Sequence, residues 1–497
     1  MTLPSTQPEA LPPDALADVL VVGAGATGLA LACDLARRDV RALVIEQQDG
    51  LFPGSRGKGV QPRTQEVFDD LGVIDAIRAA GGRYPKMLTW RGDQPVREWD
   101  LIAQDATEPG TPYPAPLMIP QWRTQEILHE RLLQLGGSVA FGTRLAEFTQ
   151  DAEAVTAVLE SADGDRRTVR ARYLVGADGG RSTVRRALGI AMDGETVDPR
   201  PALVADVRID GLGRGNWHAW PEAPEGALLL CPLAGTDLFQ LFAQYATGEP
   251  ALSLDEVRRL IGERTPLDPE AVREVRWASD FRPRAALADR YRAGRVLLAG
   301  DAAHVHSPAG GQGLNTGVQD AYNLGWKLGQ VLRHGAPDSL LDSYESERRP
   351  VAADVLGLST RLHRAGRSGD PVSVQRGKQT SQLGVGYPDS PLTAERRTGL
   401  PEDALRAGGR VPDFELPDST RLFDLLRGPH FTLLAVATPA PATHPDILTR
   451  EFAALDPLSP GLYLIRPDGY LGLATRDAAD LADYLALVSG QHAGRAM

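Results

Sequence analysis

The sequence predicts a mixed α/β fold (α/β with α+β character) that contains more than one domain. Three observations predict it. A strand, a glycine-rich turn and a helix follow one another over 18–45, residues 142–175 alternate between apolar and polar side chains, and a smaller α/β unit follows at 411–490. The chain of 497 residues has room for about three domains of roughly 100–200 residues each.

The first 190 residues begin with a predicted disordered tail over 1–17, which is acidic and rich in Pro and Ala. The βαβ pattern that follows reads as strand Val19–Val22, helix Thr27–Arg38 and strand Ala42–Ile45. After a polar loop over 47–63, helices are predicted over Thr64–Leu71 and, beyond the Pro-rich stretch 109–120, over Arg123–Leu135. Antiparallel strands are expected within 142–160 and 167–175.

The remaining chain alternates between strand-rich and helical stretches. Residues 190–290 read as strands with one helix, and the apolar stretch Arg295–Ala299 suits the centre of a parallel sheet. Later elements are helices over Leu314–Leu332 and Ser343–Leu362, a loop-rich linker over 366–410, strands over Phe431–Val436 and Gly461–Ile465, and a helix over Asp477–Leu487.

Charge and cysteine content exclude several classes of protein. A net charge of −12 argues against nucleic-acid binding, because phosphate recognition needs a basic surface. Cys33 and Cys231 are too few for a disulfide framework or a thiolate metal site, and they fit a reducing cytoplasm. The N-terminus has no basic segment of a signal peptide, and the uncharged run Val19–Cys33 is too short to span a membrane. The sequence thus predicts a cytoplasmic protein.

The turn Gly23-Ala24-Gly25-Ala26-Thr27-Gly28 carries a dinucleotide-binding fingerprint in its required context. It lies between a strand and a helix, and Glu46, followed by Gln47, closes the next strand 18 residues after Gly28. In such a turn the glycines permit close approach of a pyrophosphate to the helix N-terminus, and the acidic residue accepts from a ribose hydroxyl. This motif alone does not distinguish FAD from NAD.

Two later motifs make the distinction. The first spans 173–185 and contains Asp178-Gly179; the second spans 295–315 and contains Gly300-Asp301 and Ser307-Pro308-Ala309-Gly310-Gly311-Gln312-Gly313-Leu314-Asn315. In order and spacing, the three motifs resemble those of the class A flavoprotein monooxygenases, which have the para-hydroxybenzoate hydroxylase-like fold. Within that family the chain is most similar to actinobacterial aromatic polyketide hydroxylases and rifampicin monooxygenases.

The resemblance implies three structural units. They are a Rossmann-like FAD-binding domain over 18–190 and 285–365, a β-sheet substrate domain over 80–120 and 190–285, and a thioredoxin-like domain over 411–497. The last unit contains no cysteine, so thioredoxin chemistry is excluded and a packing or oligomer-forming role is expected.

The resemblance also implies the site. Arg56 is expected to lie against the flavin, to help its movement and to act in catalysis. FAD contacts are implied for Gly23, Gly25, Ala26, Thr27, Gly28, Glu46, Gln47, Arg56, Gln121, Asp178, Gly179, Gly300, Asp301, Pro308, Gly310, Gly311, Gly313, Leu314 and Asn315. The helix that starts near Leu314 would direct its free N–H groups at the flavin's pyrimidine edge. Substrate contacts are expected among the aromatic residues Trp217, Trp220, Phe239 and Phe242 of the middle region.

The activity implied is NAD(P)H- and O2-dependent hydroxylation of an aromatic, polyketide-like molecule through a flavin C4a-hydroperoxide, by a monomer or homodimer. Baeyer–Villiger oxidation, a flavin reductase without oxygen insertion, and a flavoprotein kept for binding remain alternatives. Because only one dinucleotide fingerprint occurs, NADPH or NADH is expected to bind transiently. The pair His304 and His306 lacks a third ligand, so no metal site is predicted, and Trp217-His218-Ala219-Trp220-Pro221 does not match the flavin halogenase signature.

Overall fold

A mixed sheet with a parallel centre organises the first part of the chain. The computed structural model describes residues 16–102, 110–307, 309–366, 376–442, 444 and 446–489. The sheet is ordered β18 (Arg292–Ala293), β19 (Val296–Leu298), β10 (Arg166–Gly176), β1 (Leu16–Val22), β2 (Ala42–Ile45) and β7 (Val139–Ala140), and β8 (Thr143–Gln150) and β9 (Val155–Ser161) extend it through β10. Because β19, β10, β1 and β2 are parallel neighbours, their carboxyl ends meet at one edge of the sheet.

Helices pack around this sheet and along the chain. Their bounds are α1 (Ala26–Ala36), α2 (Pro62–Asp70), α3 (Ile74–Ala80), α4 (Gln121–Gln134), α5 (Thr183–Ala187), α6 (Leu254–Arg264), α7 (Gly313–Arg333), α8 (Asp342–Gly366), α9 (Lys378–Ser381), α10 (Leu422–Leu426) and α11 (Ala478–Val488). Short 3-10 turns occur at Pro269–Ala271, Gly300–Ala302 and Asp338–Leu341. No helix among the described residues has both the length and the apolar character needed to cross a membrane.

Helix α7 packs unusually close to α1. A β-carbon at Gly317 would lie 2.4 Å from Oγ1 of Thr27, and one at Gly325 would lie 2.2 Å from Oδ2 of Asp34. The glycines of this long helix are therefore required by the close approach, although glycine disfavours a helix by about 1 kcal/mol relative to alanine. This packing fixes the start of α7 beside the glycine turn that precedes α1.

A second, seven-stranded sheet joins two distant segments of the chain. Its order is β16 (Val272–Phe281), β12 (Ala202–Ile209), β15 (Leu238–Gln244), β14 (Leu228–Pro232), β13 (Asn216–Trp220), β4 (Lys86–Arg91) and β5 (Gln94–Trp99). On one face of this sheet, here called the outer face, the side chains of alternating residues pack against α6. They include Leu203, Ala205 and Leu241. The opposite, inner face carries Asp206 and Cys231 and lies against residues 54–58.

The C-terminal part of the described chain forms a five-stranded sheet. Its order is β21 (Ala394–Glu395), β25 (Leu471–Thr475), β24 (Gly461–Ile465), β22 (Phe431–Val436) and β23 (Ile447–Phe452). Two small sheets complete the strands: β11 (Met192–Thr196) with β17 (Arg284–Ala288) and β20 (His304–Val305), and β3 (Gly59–Val60) with β6 (Leu117–Met118).

A buried charged cluster joins this C-terminal sheet to α7 and α8. Glu347 of α8 accepts from Nζ of Lys327 at 2.7 Å and from Nη1 of Arg466 at 2.7 Å. Arg466 also pairs with Asp468 at 2.6 Å, and Asp468 accepts from the indole N–H of Trp326. Lys327, Glu347, Arg466 and Asp468 are each at most 2% exposed. These contacts hold the turn after β24 against α7, the helix whose first residues lie beside the glycine turn.

The structure confirms the mixed α/β prediction and shifts several element boundaries. Strand β1 begins at Leu16, inside the predicted tail, because Leu16 and Ala17 pair with β10. The rest of the tail, residues 1–15, lies outside the described residues, as does 367–375 of the predicted linker. Helix α8 continues past the predicted end at Leu362 to Gly366 and contains Pro350.

Candidate active site

The glycine turn leaves open space where a ligand phosphate would lie. Gly23 has a φ of 107°, and a β-carbon there would meet the carbonyl oxygen of Ala177 at 2.4 Å; one at Gly28 would meet the Gly23 carbonyl at 1.9 Å. These two glycines are therefore required by the fold itself. Gly25 differs, because nothing lies within 4 Å of its β-position and its φ of −70° suits any residue. The fold alone does not explain the glycine at position 25.

The start of α1 has its backbone donors free for a ligand. Helix α1 begins at the buried Ala26 and has neither a capping side chain nor an acidic residue in its first turn. Glu46 accepts the backbone N–H of Ala24 at 2.9 Å, which ties the end of β2 to the turn, whereas Gln47 is exposed. The side chain of Thr27 packs against Gly300 and Gly317. An uncapped helix N-terminus of this kind attracts anions.

Two carboxylates follow the neighbouring strands at the same edge of the sheet. Asp301 stands after β19, and its solvent-accessible carboxylate accepts no hydrogen bond from the described residues. The protein around it raises its pKa by desolvation, and His304 and Arg56 offset part of that increase. Asp178 stands after β10, where its Oδ2 accepts from two N–H groups of α5 while its buried Oδ1 has no partner. Both carboxylates can accept from a ligand's hydroxyl groups. Next to Asp178, Gly179 has a φ of 77° and open space at its β-position.

The loop before α7 is held by a buried amide. The Asn315 side chain donates to the Gly59 and Gly311 carbonyls at 2.9 and 2.8 Å, and accepts the backbone N–H of Gln61. Both of its donors are thus used within the protein, so any contact of Asn315 with a ligand is expected from its backbone. Gly310 and Gly311 have positive φ values of 84° and 64°. Gly313 is the first residue of α7, and Pro308 lies outside the described residues.

The loop of Arg56 bridges the two sheets. Arg56 donates from Nη2 to Oγ of Ser279 at 2.9 Å, and its guanidinium carbon lies 5.8 Å from the ring centroid of Trp277. The following Gly57 donates its N–H to Oε1 of Gln121, the first residue of α4. A β-carbon at Gly57 would also lie 3.5 Å from Leu314 of α7. The structure thus brings Arg56, Gln121 and Leu314 to one place.

The four predicted substrate aromatics divide between the two faces of the second sheet. Trp217 and Phe242 belong to the inner face. Trp220 and Phe239 lie in the outer core against α6, where the indole of Trp220 donates to the Gly92 carbonyl. Strand alternation turns both side chains away from the Arg56 loop, so the structure does not favour the predicted contact of Trp220 and Phe239 with substrate.

Two charged residues of this region were missed by motif reasoning. Lys58 follows the Arg56 loop, contacts Oε1 of Gln240, and has its Nζ 4.5 Å from the ring centroid of Trp217. Asp206 is fully buried on the inner face, and neither of its carboxylate oxygens has a hydrogen-bond partner among the described residues. One signal was available in the sequence, because Lys58 is one of four lysines among 53 basic residues.

Replacing Asp206 with asparagine is expected to stabilise the protein at neutral and higher pH. Burial raises the pKa of Asp206 to about 6, with Ser55 and Lys58 offsetting part of the increase, whereas an unfolded Asp titrates near 3.9. Stability is therefore lost as pH rises from about 4 through about 6, and Asp206→Asn should recover about 2–3 kcal/mol above that range. Thermal unfolding as a function of pH tests this, with the exposed Asp93→Asn as the matched control. If Asp206→Asn is more stable than the wild type by the same amount at pH 4 and at pH 8, the raised pKa of Asp206 is contradicted.

The histidines that follow Asp301 form a buried hydrogen-bonded chain. Nε2 of His306 lies 2.9 Å from Nδ1 of His304, and Nε2 of His304 lies 2.5 Å from Oδ2 of Asp320 on α7. Burial alone would raise the pKa of Asp320, but His304 and Arg348 reverse this and hold it below its ordinary value. The two imidazoles therefore connect the Asp301 turn to α7.

The arrangement as a whole offers the groups that FAD requires. The turn around Gly25 supplies open space and free N–H groups for a pyrophosphate, and Asp301 and Asp178 supply carboxylate oxygens without protein partners for hydroxyl groups. The uncapped start of α7 adds a second N-terminus near Arg56. A dinucleotide extended between these features would reach Leu314 beside the Arg56 loop.

Comparison with known proteins gives consistent matches. A family model described as an FAD binding domain matches residues 16–359. The chain is 46% identical over 480 residues to a flavin-dependent monooxygenase of Mycobacteroides abscessus, which covers 95% of this chain and 99% of that protein. It is 35% identical over 518 residues to 6-methylpretetramide 4-monooxygenase of Streptomyces rimosus, with 93% and 91% covered.

A solved structure agrees with the sequence matches. A ternary complex of aklavinone-11 hydroxylase with FAD and aklavinone superposes with a TM-score of 0.78 at 30% sequence identity. The match covers 96% of this chain and 99% of the other. The fold therefore matches one known architecture over nearly the whole chain.

Proposed function

The chain belongs to the FAD-binding domain family of flavin-dependent aromatic monooxygenases, and from this membership we propose that it hydroxylates an aromatic, polyketide-like small molecule with NAD(P)H and O2 as co-substrates. The observation that carries the proposal is the position of Arg56. Its guanidinium links the loop beside Gln121 and Leu314 to Ser279 on the inner face of the second sheet. A flavin bound between the glycine turn and the start of α7 would therefore lie opposite the inner face of the second sheet.

The residues proposed to hold FAD come from the glycine turn, the ends of neighbouring strands and the start of α7. The N-terminus of α1 at Gly25 would bind the pyrophosphate, and Glu46 would accept from the adenosine ribose. Asp301 would accept from the ribityl hydroxyls, since its carboxylate has no partner in the described protein. The start of α7 would direct backbone N–H groups at the pyrimidine edge of the flavin.

The protein's part in the reaction is to position the flavin and the substrate, to exclude water and to provide a favourable electrostatic field. When bound, FAD would supply the redox chemistry, taking electrons from NAD(P)H and activating O2 for transfer of one oxygen atom. Arg56 would hold the loop over the substrate through Ser279 and its stacking on Trp277. Trp217 and Phe242 would contact the aromatic body of the substrate. The nicotinamide cofactor is proposed to bind transiently, because the sequence contains one glycine fingerprint and no second one.

The substrate class is proposed from the relatives together with the inner face. One relative is named 6-methylpretetramide 4-monooxygenase, and the solved structure of aklavinone-11 hydroxylase contains aklavinone. Each of these compounds is named for the relative and not for this chain. Purified holoenzyme should therefore be mixed with phenols, anthraquinones and tetracyclines while NADPH and NADH oxidation are followed. We expect one compound to stimulate oxidation and to yield a product heavier by one oxygen atom. A product with oxygen inserted into a carbon–carbon bond would instead show Baeyer–Villiger chemistry.

Replacing Arg56 with alanine is expected to leave FAD bound and to slow its reduction by NAD(P)H about tenfold in the presence of substrate. The change removes a charged hydrogen bond and two cation–π contacts that hold the loop, interactions that together contribute at least about 1.4 kcal/mol. Stopped-flow absorbance of the flavin measures the rate. The control Arg282→Ala removes an exposed arginine elsewhere, and reduction rates equal to wild type in both variants would remove Arg56 from the mechanism.

A further inference from the structure

Three polar side chains converge between the Arg56 loop and the inner face. They are Lys58, Tyr84 and Arg376, here called the cationic pocket. Each lies close enough to the thiol of Cys231 to interact with it electrostatically, and Arg376 also interacts with the other two. The guanidinium carbon of Arg376 lies 5.5 Å from the ring centroid of Tyr84. Each of the three keeps part of its surface accessible although it lies deep in the protein. They therefore form one partly accessible polar group beside Cys231.

This group of side chains lies directly beside the proposed flavin site. A β-carbon at Gly59 would be 2.0 Å from the hydroxyl oxygen of Tyr84, so this hydroxyl sits over the backbone next to Lys58. A β-carbon at Gly311 would be 3.6 Å from Nη1 of Arg376. The cationic pocket is thus bounded by the two loops proposed to contact the flavin.

The two cations of the pocket have no ion-pair partner within the described residues, where no carboxylate comes within 4 Å of either one. Burial lowers the pKa of Lys58, and the nearby charge of Arg376 lowers it further. Asp206 is the acidic group that attracts Lys58, but it makes no hydrogen bond to it. Two positive charges held close together inside the protein raise its free energy unless an anion binds between them.

Cys231 and Tyr84, which also face the pocket, are neutral. Burial raises the pKa of Cys231 to about 12 and also raises the pKa of Tyr84. Arg214 is a further cation near Cys231, and Arg276 is one near Asp206. Positive charge therefore predominates in the pocket, although the whole chain carries a net charge of −12.

An apolar cluster borders the three polar side chains. This cluster of packed side chains comprises Met87, Leu101, Met118, Trp217, Ala219 and Cys231. Lys58 lies over the face of Trp217 in this cluster. A ligand that fits has an aromatic body and one negatively charged edge.

We propose that Lys58 and Arg376, together with the Tyr84 hydroxyl, bind an anionic oxygen of the substrate and thereby select acidic aromatic compounds. The inference rests on the proposed function, because it takes the inner face as the substrate wall. The anionic oxygen belongs to an ionised phenol or enol, or to a carboxylate. For a phenol, the proton passes to solvent on binding and the two cations hold the oxygen in its ionised form.

Binding of three anthraquinone ligands to the holoenzyme tests the proposal. Alizarin carries ionisable hydroxyls, anthraquinone-2-carboxylate carries a permanent anion, and anthraquinone carries neither. Bound alizarin is expected to show the absorption spectrum of its anion at a pH where the free dye is neutral. Tighter binding of the hydroxyl compound identifies a phenol or enol as the source of the oxygen, and tighter binding of the carboxylate identifies a carboxylic acid.

Substitutions assign the effect to the pocket. Lys58→Met and Arg376→Met should each weaken binding of the anionic ligands about tenfold or more and leave anthraquinone unaffected. Lys86→Met is the matched control, because Lys86 is an exposed lysine on β4. Lys58→Arg should retain anion binding and replaces Lys58→Met if the latter does not fold.

Three results would overturn the assignment: equal affinity of the variants and the wild type for both anions, bound alizarin with the spectrum of its neutral form, or loss of FAD from the folded variants. The readout is the spectrum of the ligand, so it is independent of turnover. If the anions bind as described but no compound is oxygenated, the proposed function fails and the anion site stands.

Discussion

Replacing Gly25 with valine is expected to abolish FAD binding while the protein still folds. The β-position of Gly25 has no protein atom within 4 Å, and its φ of −70° with ψ of 178° is extended backbone that valine adopts readily. The side chain would occupy the space proposed for the pyrophosphate and would deny it the free N–H groups of α1. Loss of two or more charge-assisted hydrogen bonds should weaken FAD binding about a hundredfold or more. Bound flavin per protein, read from visible absorbance, measures the effect.

Two further glycine substitutions separate a binding defect from a folding defect. Gly28→Val should prevent folding, because its β-carbon would lie 1.9 Å from a backbone carbonyl oxygen. Gly213→Val should change nothing, since Gly213 is exposed in a loop and also has open space at its β-position. A folded Gly25→Val protein with normal flavin content would show that the cofactor phosphates lie elsewhere.

Replacing Arg466 with methionine is expected to destabilise the protein by about 3–5 kcal/mol. The substitution leaves Glu347 and Asp468 buried with one partner fewer each, and uncompensated buried charge is the cause of the cost. Burial alone would raise the pKa of Glu347, but Arg466 and Lys327 hold it well below its ordinary value, so the carboxylate is ionised at neutral pH. Because Asp468 also contacts Trp326 of α7, release of FAD on heating should occur at a lower temperature. Thermal unfolding and flavin fluorescence measure both effects.

The matched control is a surface ion pair of the same type. Arg273 and Asp210 lie 2.6 Å apart but are more than half exposed, so Arg273→Met should leave the unfolding temperature nearly unchanged. If Arg466→Met unfolds no earlier than Arg273→Met, the buried cluster does not hold the C-terminal sheet to α7 and α8. The cysteine-free C-terminal sheet would then need another role than that of a structural support.

Local sequence signals predicted much of the fold. The βαβ unit was predictable because an apolar strand, a glycine turn and a helix follow one another without interruption, and the structure has α1 at Ala26–Ala36 and β2 at Ala42–Ile45. Phe431–Val436 and Gly461–Ile465 are strands with the predicted bounds, because short apolar runs between turn residues have few other conformations available. The three glycine motifs likewise led to the family that the comparisons show.

Side-chain direction and long-range charge could not be predicted. Trp217 and Trp220 are three residues apart on one strand, and sequence alone does not say which face of that strand covers α6. Arg376 reaches Tyr84 from a point almost 300 residues later in the chain, so no local pattern connects them. The rarity of lysine was a usable signal, since Lys58 and Lys327 are two of four lysines and both carry charge inside the protein.

Isotope labelling tests whether this protein transfers one atom of O2 to an aromatic substrate. Purified holoenzyme, NADPH and the compound that best stimulates NADPH oxidation would be incubated under ¹⁸O2 and the product analysed by mass spectrometry. We expect a hydroxylated product that carries one ¹⁸O atom, formed in proportion to the NADPH consumed. Consumption of NADPH with an equal yield of hydrogen peroxide and no labelled product, for each compound that stimulates oxidation, would contradict this expectation and identify a flavin oxidoreductase without oxygen insertion.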